Sequence, residues 1–407
     1  MSPLLYRFVT SALSPVLPFV LRRRAARGKE DAARLPERFG RASLERPAGP
    51  LIWLHGASVG ETQMLRPLVD RLLEADPERH VLVTSGTVTA AHLMARQLPG
   101  RALHQYLPVD TPRATARFIA HWHPDLAVLA ESEIWPNLIW TADRADIPIA
   151  LINGRMSERS LRGWQTRRRM ARSLFPRMKL LLAADARTAT GLSVVSGRAV
   201  ADVGSLKYDA PPLPFDRAES DRLRAAIGDR PVWLAASTHA EEEAVFARLA
   251  RQRDAFTLWL PRHPERGPAV AQRTGLPLRS QGQPPSEHGY VMDTLGEMGL
   301  ALSLADVCLM GGSFDPSLMG HNPLEAARAG VPVLTGPHMD SFSALYDAMQ
   351  ESGAVRVVSE AEAADALRAG MAGELSGMAE AAQRFAATQT GALDRTVAAL
   401  EALLASA

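Results

Sequence analysis

Short apolar runs recur along this 407-residue chain, and each leads into a segment patterned as a helix. The first series is Leu51–Leu54, Val81–Thr84, Leu126–Leu129, Ile147–Ile152 and Leu180–Ala183. The second is Val232–Ala235, Thr257–Leu260, Val307–Met310 and Val331–Leu334. Strands that are apolar throughout and alternate with helices belong to a parallel sheet covered on both faces. Residues 209–216 (DAPPLPFD) separate the two series and read as a linker. Two successive α/β domains with a hinge and a cleft are the simplest architecture for this pattern. After about Ser359 the chain is alanine-rich and reads as helical.

A composition of 46% hydrophobic and 22% charged residues excludes a disordered chain, collagen and a polytopic membrane protein. Cys308 is the sole cysteine, which excludes a disulfide scaffold and any Cys-based zinc or iron–sulfur site. The net charge of +2 hides a separation. Residues 1–60 carry ten Arg/Lys against four Asp/Glu, so +6, and the remainder is 36 − 40 = −4. Arg155 to Lys179 adds nine basic residues against Glu158 alone. Only three basic residues are lysines, Lys29, Lys179 and Lys207. In so arginine-biased a chain, a lysine marks a place where arginine does not serve.

Phe8–Leu21 is a mostly apolar run of 14 residues containing Pro15 and Pro18, followed by Arg22, Arg23 and Arg24. That is short of the roughly 20 residues a spanning helix needs. The charge follows the run instead of preceding it, and no small-residue cleavage site comes after, which argues against a signal peptide. The expectation is an interfacial anchor over residues 1–32, with an apolar wedge and a cationic collar attracted to anionic lipid on the cytoplasmic side. The alternative is a surface helix packed on the body. Basic zones without an RNA- or DNA-binding signature point to membrane or phosphate, not nucleic acid.

Six motifs follow strand ends. His55-Gly-Ala-Ser-Val-Gly-Glu61-Thr62 opens a helix at the carboxyl edge of the first sheet, where ligands bind in open α/β folds. Glu61 there can take a proton from an acceptor hydroxyl or simply complement the helix dipole. Glu131-Ser-Glu133-Ile-Trp135-Pro-Asn137 places two carboxylates directly after the strand Leu126–Leu129, as a site or as solvated loop acids. Asn153-Gly-Arg155-Met-Ser157-Glu158-Arg159-Ser160 reads as a phosphate grip or a capped helix. Lys207, in GSLKYD just before the linker, can offset charge on a departing phosphate.

Pro261-Arg262-His263-Pro264-Glu265-Arg266 suits a rigid anion contact or a proline-stiffened loop. The sixth motif runs through Gly311-Gly312-Ser313 and His321-Asn322-Pro323-Leu324-Glu325 to Gly330–His338. Asn322 at N-cap, Pro323 at N1 and Glu325 at N3 resemble a capping box. The functional reading adds glycines that leave amides free for a phosphate, and a Glu325 that accepts two ribose hydroxyls. The histidines, His121 and His123 included, have no partners at metal-ligand spacing, and no D-x-D, Walker A or G-x-S-x-G sequence occurs. No metal or other cofactor is expected.

Taken together, RGKEDAARLPERFGR, HGASVGET, YLPVDTP, ESEIWPNL, NGRMSERS, GSLKYD, LAASTHAEEE, PRHPER, DTLGEMGL, ADVCLMGGS and HNPLEAARAGVPVLTGPHM run in order almost end to end. The chain strongly resembles the 3-deoxy-D-manno-octulosonic acid (Kdo) transferases of lipopolysaccharide biosynthesis. The resemblance implies an α/β GT-B fold, with two Rossmann-like domains facing a central cleft. It implies an acceptor domain over 33–206 and a nucleotide-sugar domain over 207–407 that includes the C-terminal helices. It further implies CMP-Kdo as donor, the lipid A precursor lipid IV(A) as acceptor, and peripheral or monotopic attachment to the cytoplasmic side of the inner membrane. By motif, Glu61 matches the catalytic base, and Glu131 and Lys207 match transition-state stabilisers. CMP contacts fall on Pro261, Arg262 and His263, on Gly296, Glu297 and Met298, and on Asn322, Pro323, Leu324 and Glu325. The family usually has a double glycine before His-Asn, at shorter spacing; here Phe314–Met319 is longer and Met319 replaces a glycine. Another GT-B glycosyltransferase, a nucleotide-sugar epimerase and a non-catalytic peripheral membrane protein are the competing readings.

Overall fold

In the computed structural model, which describes residues 2–209, 213–251 and 255–406, every run of the two apolar series overlaps a parallel strand. The chain divides into two units, one up to Asp209 together with Thr390 onward, the other from Leu213 to Gln389.

The first unit holds β1 (Leu51–His55), β2 (His80–Ser85), β3 (Ala102–Tyr106), β4 (Leu126–Ala130), β5 (Ile149–Gly154), β6 (Met178–Ala183) and β7 (Ala201–Asp202). They form one parallel sheet in the order β3-β2-β1-β4-β5-β6-β7. Side chains alternate across each strand, so Leu51 and Trp53 enter a core with Phe118 and Trp122, while Ile52 and Leu54 meet Leu65, Leu68 and Leu400 on the other face. Trp53 is fully buried and donates its indole N–H to Thr84 Oγ1 at 2.8 Å. Burial of such a side chain contributes about 2–3 kcal/mol.

The second unit holds β8 (Val232–Thr238), β9 (Phe256–Pro261), β10 (Gly289–Val291), β11 (Val307–Met310), β12 (Val333–Thr335) and β13 (Arg356–Val357), ordered β10-β9-β8-β11-β12-β13. Cys308 lies inside β11, fully buried, and burial pushes its thiol up to about 12. In both sheets the strand order reverses at the first strand, between β1 and β4 and between β8 and β11. Loops diverge at such switch points and leave a crevice outside the strands' carboxyl ends.

Two expected boundaries move. Residues 207–209 and the last helix, Ala392–Ala405, belong to the first unit, not the second. Leu400 is fully buried there, Arg79 pairs with Glu401, and Asp209 accepts hydrogen bonds from the amides of Gly391, at 2.6 Å, and Leu393. Alanine-rich composition marks this helix as a helix but says nothing of which sheet it covers. Residues 210–212 of the expected linker lie outside the described residues. Asp216, at its far end, caps helix Arg217–Ile227 by accepting from the amide of Ala218 at 2.9 Å.

The N-terminal segment is not separate from the first unit either. It forms α1 (Pro3–Leu13) and α2 (Leu17–Ala25), bent by 62° at the break between them. Tyr6 of α1 donates to Asp110 at 2.8 Å, and Asn137 donates to Thr10 at 3.1 Å. No described helix alone is long and apolar enough to cross a membrane, although the bent pair passes that test jointly. Leu4, Leu5, Phe8, Leu13, Val16, Phe19 and Val20 are nevertheless exposed, with Leu4 at 80%. The following RGKEDAARLPERFGR stretch is a buried ionic staple: Glu37 takes Arg34 through two hydrogen bonds of 2.6 and 2.9 Å and the amide of Tyr106 at 2.8 Å.

Candidate active site

At the first switch point, Ser58 caps helix Val59–Ala75 and Glu61 completes the cap. The Glu61 carboxylate accepts from the amide of Ala57 at 2.7 Å and from the Ser58 hydroxyl at 2.8 Å. Each oxygen of a carboxylate offers about two lone-pair directions. One contact apiece therefore leaves both able to accept again. The capping role is therefore compatible with the proton-acceptor role expected of the same side chain.

The ESE motif divides. Glu131 holds a left-handed backbone at φ 54° and pairs with Lys207 Nζ at 2.6 Å. Lys207 is placed by the turn Leu206–Tyr208, whose first amide donates to Asn153 Oδ1 at 2.9 Å. Glu133 turns the other way, accepting from the Trp135 indole at 2.8 Å and meeting His55 Nε2 at 3.2 Å. Burial pushes the Glu133 carboxyl up, but the His55 and Trp135 hydrogen bonds and the His55 charge outweigh it and hold the group below its ordinary range. Glu133 is therefore tied to His55, and Glu131 forms a separate, half-buried ion pair with Lys207. The Ser157–Ser160 cluster takes its structural reading: Ser157 Oγ accepts from the amide of Ser160 at 3.2 Å, and Glu158 pairs with Arg162 one turn on.

In the second unit a cavity of about 400 Å³ opens at the carboxyl ends of β9 and β11. Of the expected nucleotide contacts, it gathers Pro261, Arg262, Gly296, Glu297, Met298, Asn322 and Glu325. It does not gather His263, whose side chain is 55% exposed, nor Pro323 and Leu324, which are buried. Helix Leu324–Arg328 begins one residue later than the capping-box pattern predicts. Asn322 Oδ1 still accepts from the amide of Leu324, at 3.1 Å, but Pro323 stands at the N-cap and Glu325 does not reach back to it. Glu325 instead faces the cavity, its carboxyl raised by burial and partly held down by Arg328 and Arg262. Glu297 is spoken for by Arg279 at 2.8 Å and Thr294 at 2.7 Å, so its side chain shapes the wall.

The glycine loop after β11 does not offer the free amides expected of it. The amides of Gly312, Ser313 and Phe314 all donate to Glu242, which is 1% exposed and also accepts from the amide of His239 at 3.1 Å. An internal carboxylate therefore sits where an anion was expected. Met319 adopts φ 64° and Gly320 φ 86°. A left-handed Met is disfavoured by about 1–2 kcal/mol, which is the consequence of the missing glycine.

His239 and His321 close this network. Their Nε2 atoms are 2.8 Å apart and their rings stack at 5.0 Å, with His321 lining the cavity. Neither residue stands out by spacing, since 82 positions separate them. Burial first, then the charges of His239 and Arg262, push His321 down to about 4. An unfolded histidine titrates near 6.5, so on acidification the unfolded chain takes the proton first. Stability is expected to fall between about pH 6.5 and pH 4, by about 3 kcal/mol from this group, and to level off below. Denaturant unfolding of His321→Gln across that range should lack this part of the acid slope. An unchanged slope would refute the assignment.

Comparison with known proteins agrees with this geometry. Residues 33–210 match the family model described as 3-deoxy-D-manno-octulosonic-acid transferase (kdotransferase). A 3-deoxy-D-manno-octulosonic acid transferase of Bordetella pertussis is 36% identical over 427 residues, covering 97% of this chain and 98% of that protein. A probable mitochondrial 3-deoxy-D-manno-octulosonic acid transferase of Arabidopsis thaliana is 36% identical over 378 residues, covering 87% and 83%. Among solved structures, a UDP-GlcNAc 2-epimerase from Neisseria meningitidis is 12% identical, with a TM-score of 0.58 over 86% of this chain and 99% of that one. At that identity it shows the fold alone, α/β of the GT-B type with two Rossmann-like units. The chain belongs to the 3-deoxy-D-manno-octulosonic acid transferase family of glycosyltransferases.

Proposed function

We propose that this enzyme transfers Kdo from CMP-Kdo to the 6′-hydroxyl of the lipid A precursor lipid IV(A), with inversion. Glu61 takes the hydroxyl proton as the acceptor oxygen bonds to the anomeric carbon of Kdo. The bond from that carbon to the phosphate oxygen breaks, and its electron pair leaves with CMP. Lys207, paired with Glu131, offsets charge that develops in the transition state, and Arg262 meets the phosphate of the bound nucleotide. The observation that carries the donor assignment is one cavity holding both Arg262 and a Glu325 carboxylate unused as a helix cap. A guanidinium suits a phosphate, and a carboxylate suits the two hydroxyls of a ribose.

Membrane attachment belongs to the same proposal. The exposed apolar residues of α1 and α2, with exposed Arg22 and Arg23, form a wedge and collar for an anionic surface. Helix Arg168–Leu174, exposed at Arg168, Arg169 and Arg172, packs against α1 and extends the basic border. The cytoplasmic face of the inner membrane fits this arrangement and the donor alike.

The test is incubation of purified protein with CMP-Kdo and lipid IV(A), reading CMP release and the mass of the lipid product. Acceptor-dependent CMP release with a Kdo added to the lipid is the expected result. Equal transfer from a UDP- or GDP-sugar, or CMP release that ignores the acceptor, overturns the proposal. Glu325→Ala is expected to weaken CMP binding about 10- to 100-fold, the range for hydrogen bonds to a charged group. Titration calorimetry with CMP checks it, and unchanged affinity would remove Glu325 from the donor site.

A further inference from the structure

The first unit contains a second cavity, about 300 Å³, that none of the assigned residues explains. Leu13 and Leu17 wall it on one side, flanking the 62° break between α1 and α2. Leu107, Val109 and Trp135 wall the other. Polar residues also line it, but their polar atoms are engaged elsewhere. Asp110 holds Tyr6 at 2.8 Å and the amides of Asn137 and Leu138 at 3.1 and 3.0 Å. Glu133 holds Trp135 and His55. Arg38 pairs with Glu30 at 3.4 Å and donates to the carbonyl of Leu107. What remains facing the space is hydrocarbon. Cavities of that kind stay dry and take apolar ligands.

Position identifies the ligand. The outer wall is the elbow of the two helices whose apolar faces are exposed, so hydrocarbon surface continues from the wedge into the cavity. The inner end is closed by Ala57 and Gly86, whose backbones are joined by a hydrogen bond of 2.9 Å. Ala57 is also the residue whose amide holds the Glu61 carboxylate. A chain lying in this cavity would therefore start at the membrane-facing elbow and end beside the loop of the proposed base. We infer that the cavity binds one acyl chain of the lipid acceptor and uses it to bring the acceptor head group to Glu61. The inference rests on the proposed acceptor being a lipid.

Each buried methylene is worth about fourfold in affinity, so filling the cavity should penalise acylated acceptor selectively. The variant is Leu17→Phe/Val109→Phe, and the acceptors are lipid IV(A) and its fully deacylated bisphosphate disaccharide, both in detergent micelles at fixed CMP-Kdo. The expected result is a KM for lipid IV(A) raised at least tenfold, with kcat unchanged and the KM for the deacylated acceptor within twofold of wild type. A Phe8→Ala control, on the exposed face of α1 away from the cavity, should weaken vesicle binding and leave the micelle KM ratio unchanged. Equal KM changes for both acceptors, or no change for either, overturn the inference. If the wild-type enzyme uses neither acceptor, the proposed function fails instead. Occupancy is then read without catalysis, by brominated dodecanoate quenching the fluorescence of Trp135. Quenching lost in both Trp135→Phe and Leu17→Phe/Val109→Phe supports the cavity site; quenching that survives in either variant refutes it.

Discussion

Glu61→Gln is expected to lower the turnover of Kdo transfer by about 10²- to 10⁴-fold, the usual contribution of a positioned general base. The loss should fall on kcat and leave CMP affinity unchanged, because the proposed nucleotide contacts all lie in the other unit. The helix cap makes this substitution informative. Glutamine at the same helical position keeps one acceptor oxygen for Ala57 or Ser58, and capping boxes accept Glu and Gln alike. Stability should therefore drop by only about 1 kcal/mol, one neutral hydrogen bond. A purely structural Glu61 would instead show activity falling in step with the unfolded fraction. Turnover reduced less than tenfold in folded Glu61→Gln would end the base assignment.

The second large effect is expected at Glu242, where no chemistry occurs. Its carboxylate is buried and accepts from the amides of His239, Gly312, Ser313 and Phe314, stapling the loop after β8 to the loop after β11 across the switch point. Glu242→Ala strands four buried amides. Each unsatisfied group costs about 1–3 kcal/mol, and relaxation and entering water lower the sum, so a loss of about 3–5 kcal/mol is expected. Donor affinity should fall with it, since His321 and Asn322 lie on the released loop and line the cavity. Glu242→Gln keeps the shape but turns an N–H toward the amides, and should fall between wild type and alanine. The readouts are the denaturant midpoint and CMP titration. A midpoint unchanged in Glu242→Ala would show that the loops hold without the staple.

These two residues show what can be read from sequence and what cannot. Glu61 was visible because a strand, a glycine loop and a helix start are local patterns. Of its two readings the cap is what the structure displays, and it leaves lone pairs for the proposed proton acceptance. Glu242 lies in the LAASTHAEEE stretch that carried the family resemblance, yet three of its four amide partners are about seventy residues away. Only the pairing of β8 with β11 brings them together. Gly296–Met298 has no pattern of its own either, and it entered through resemblance. The strands divide on the same principle. All the central strands announced themselves as apolar runs. Those that did not, β3, β7, β10 and β13, are the four sheet edges. An edge strand has a neighbour on one side only, and the shortest of these, β7 and β13, have no apolar run to show; Ala201 and Asp202 of β7 are both exposed.

The return of helix Ala392–Ala405 to the first unit has a consequence for how the protein is made. Ribosomal synthesis runs from the N-terminus, and domains generally fold as they emerge. Here the first unit to emerge remains unfinished until helix Ala392–Ala405 is made, with the places of Leu400 and Glu401 vacant beside Leu68 and Arg79. Throughout translation of the whole second unit, the first presents an open apolar face. A nascent chain stalled before Thr390 would carry a complete nucleotide unit joined to an acceptor unit missing its closing helix. That is the form a chaperone or protease would meet first.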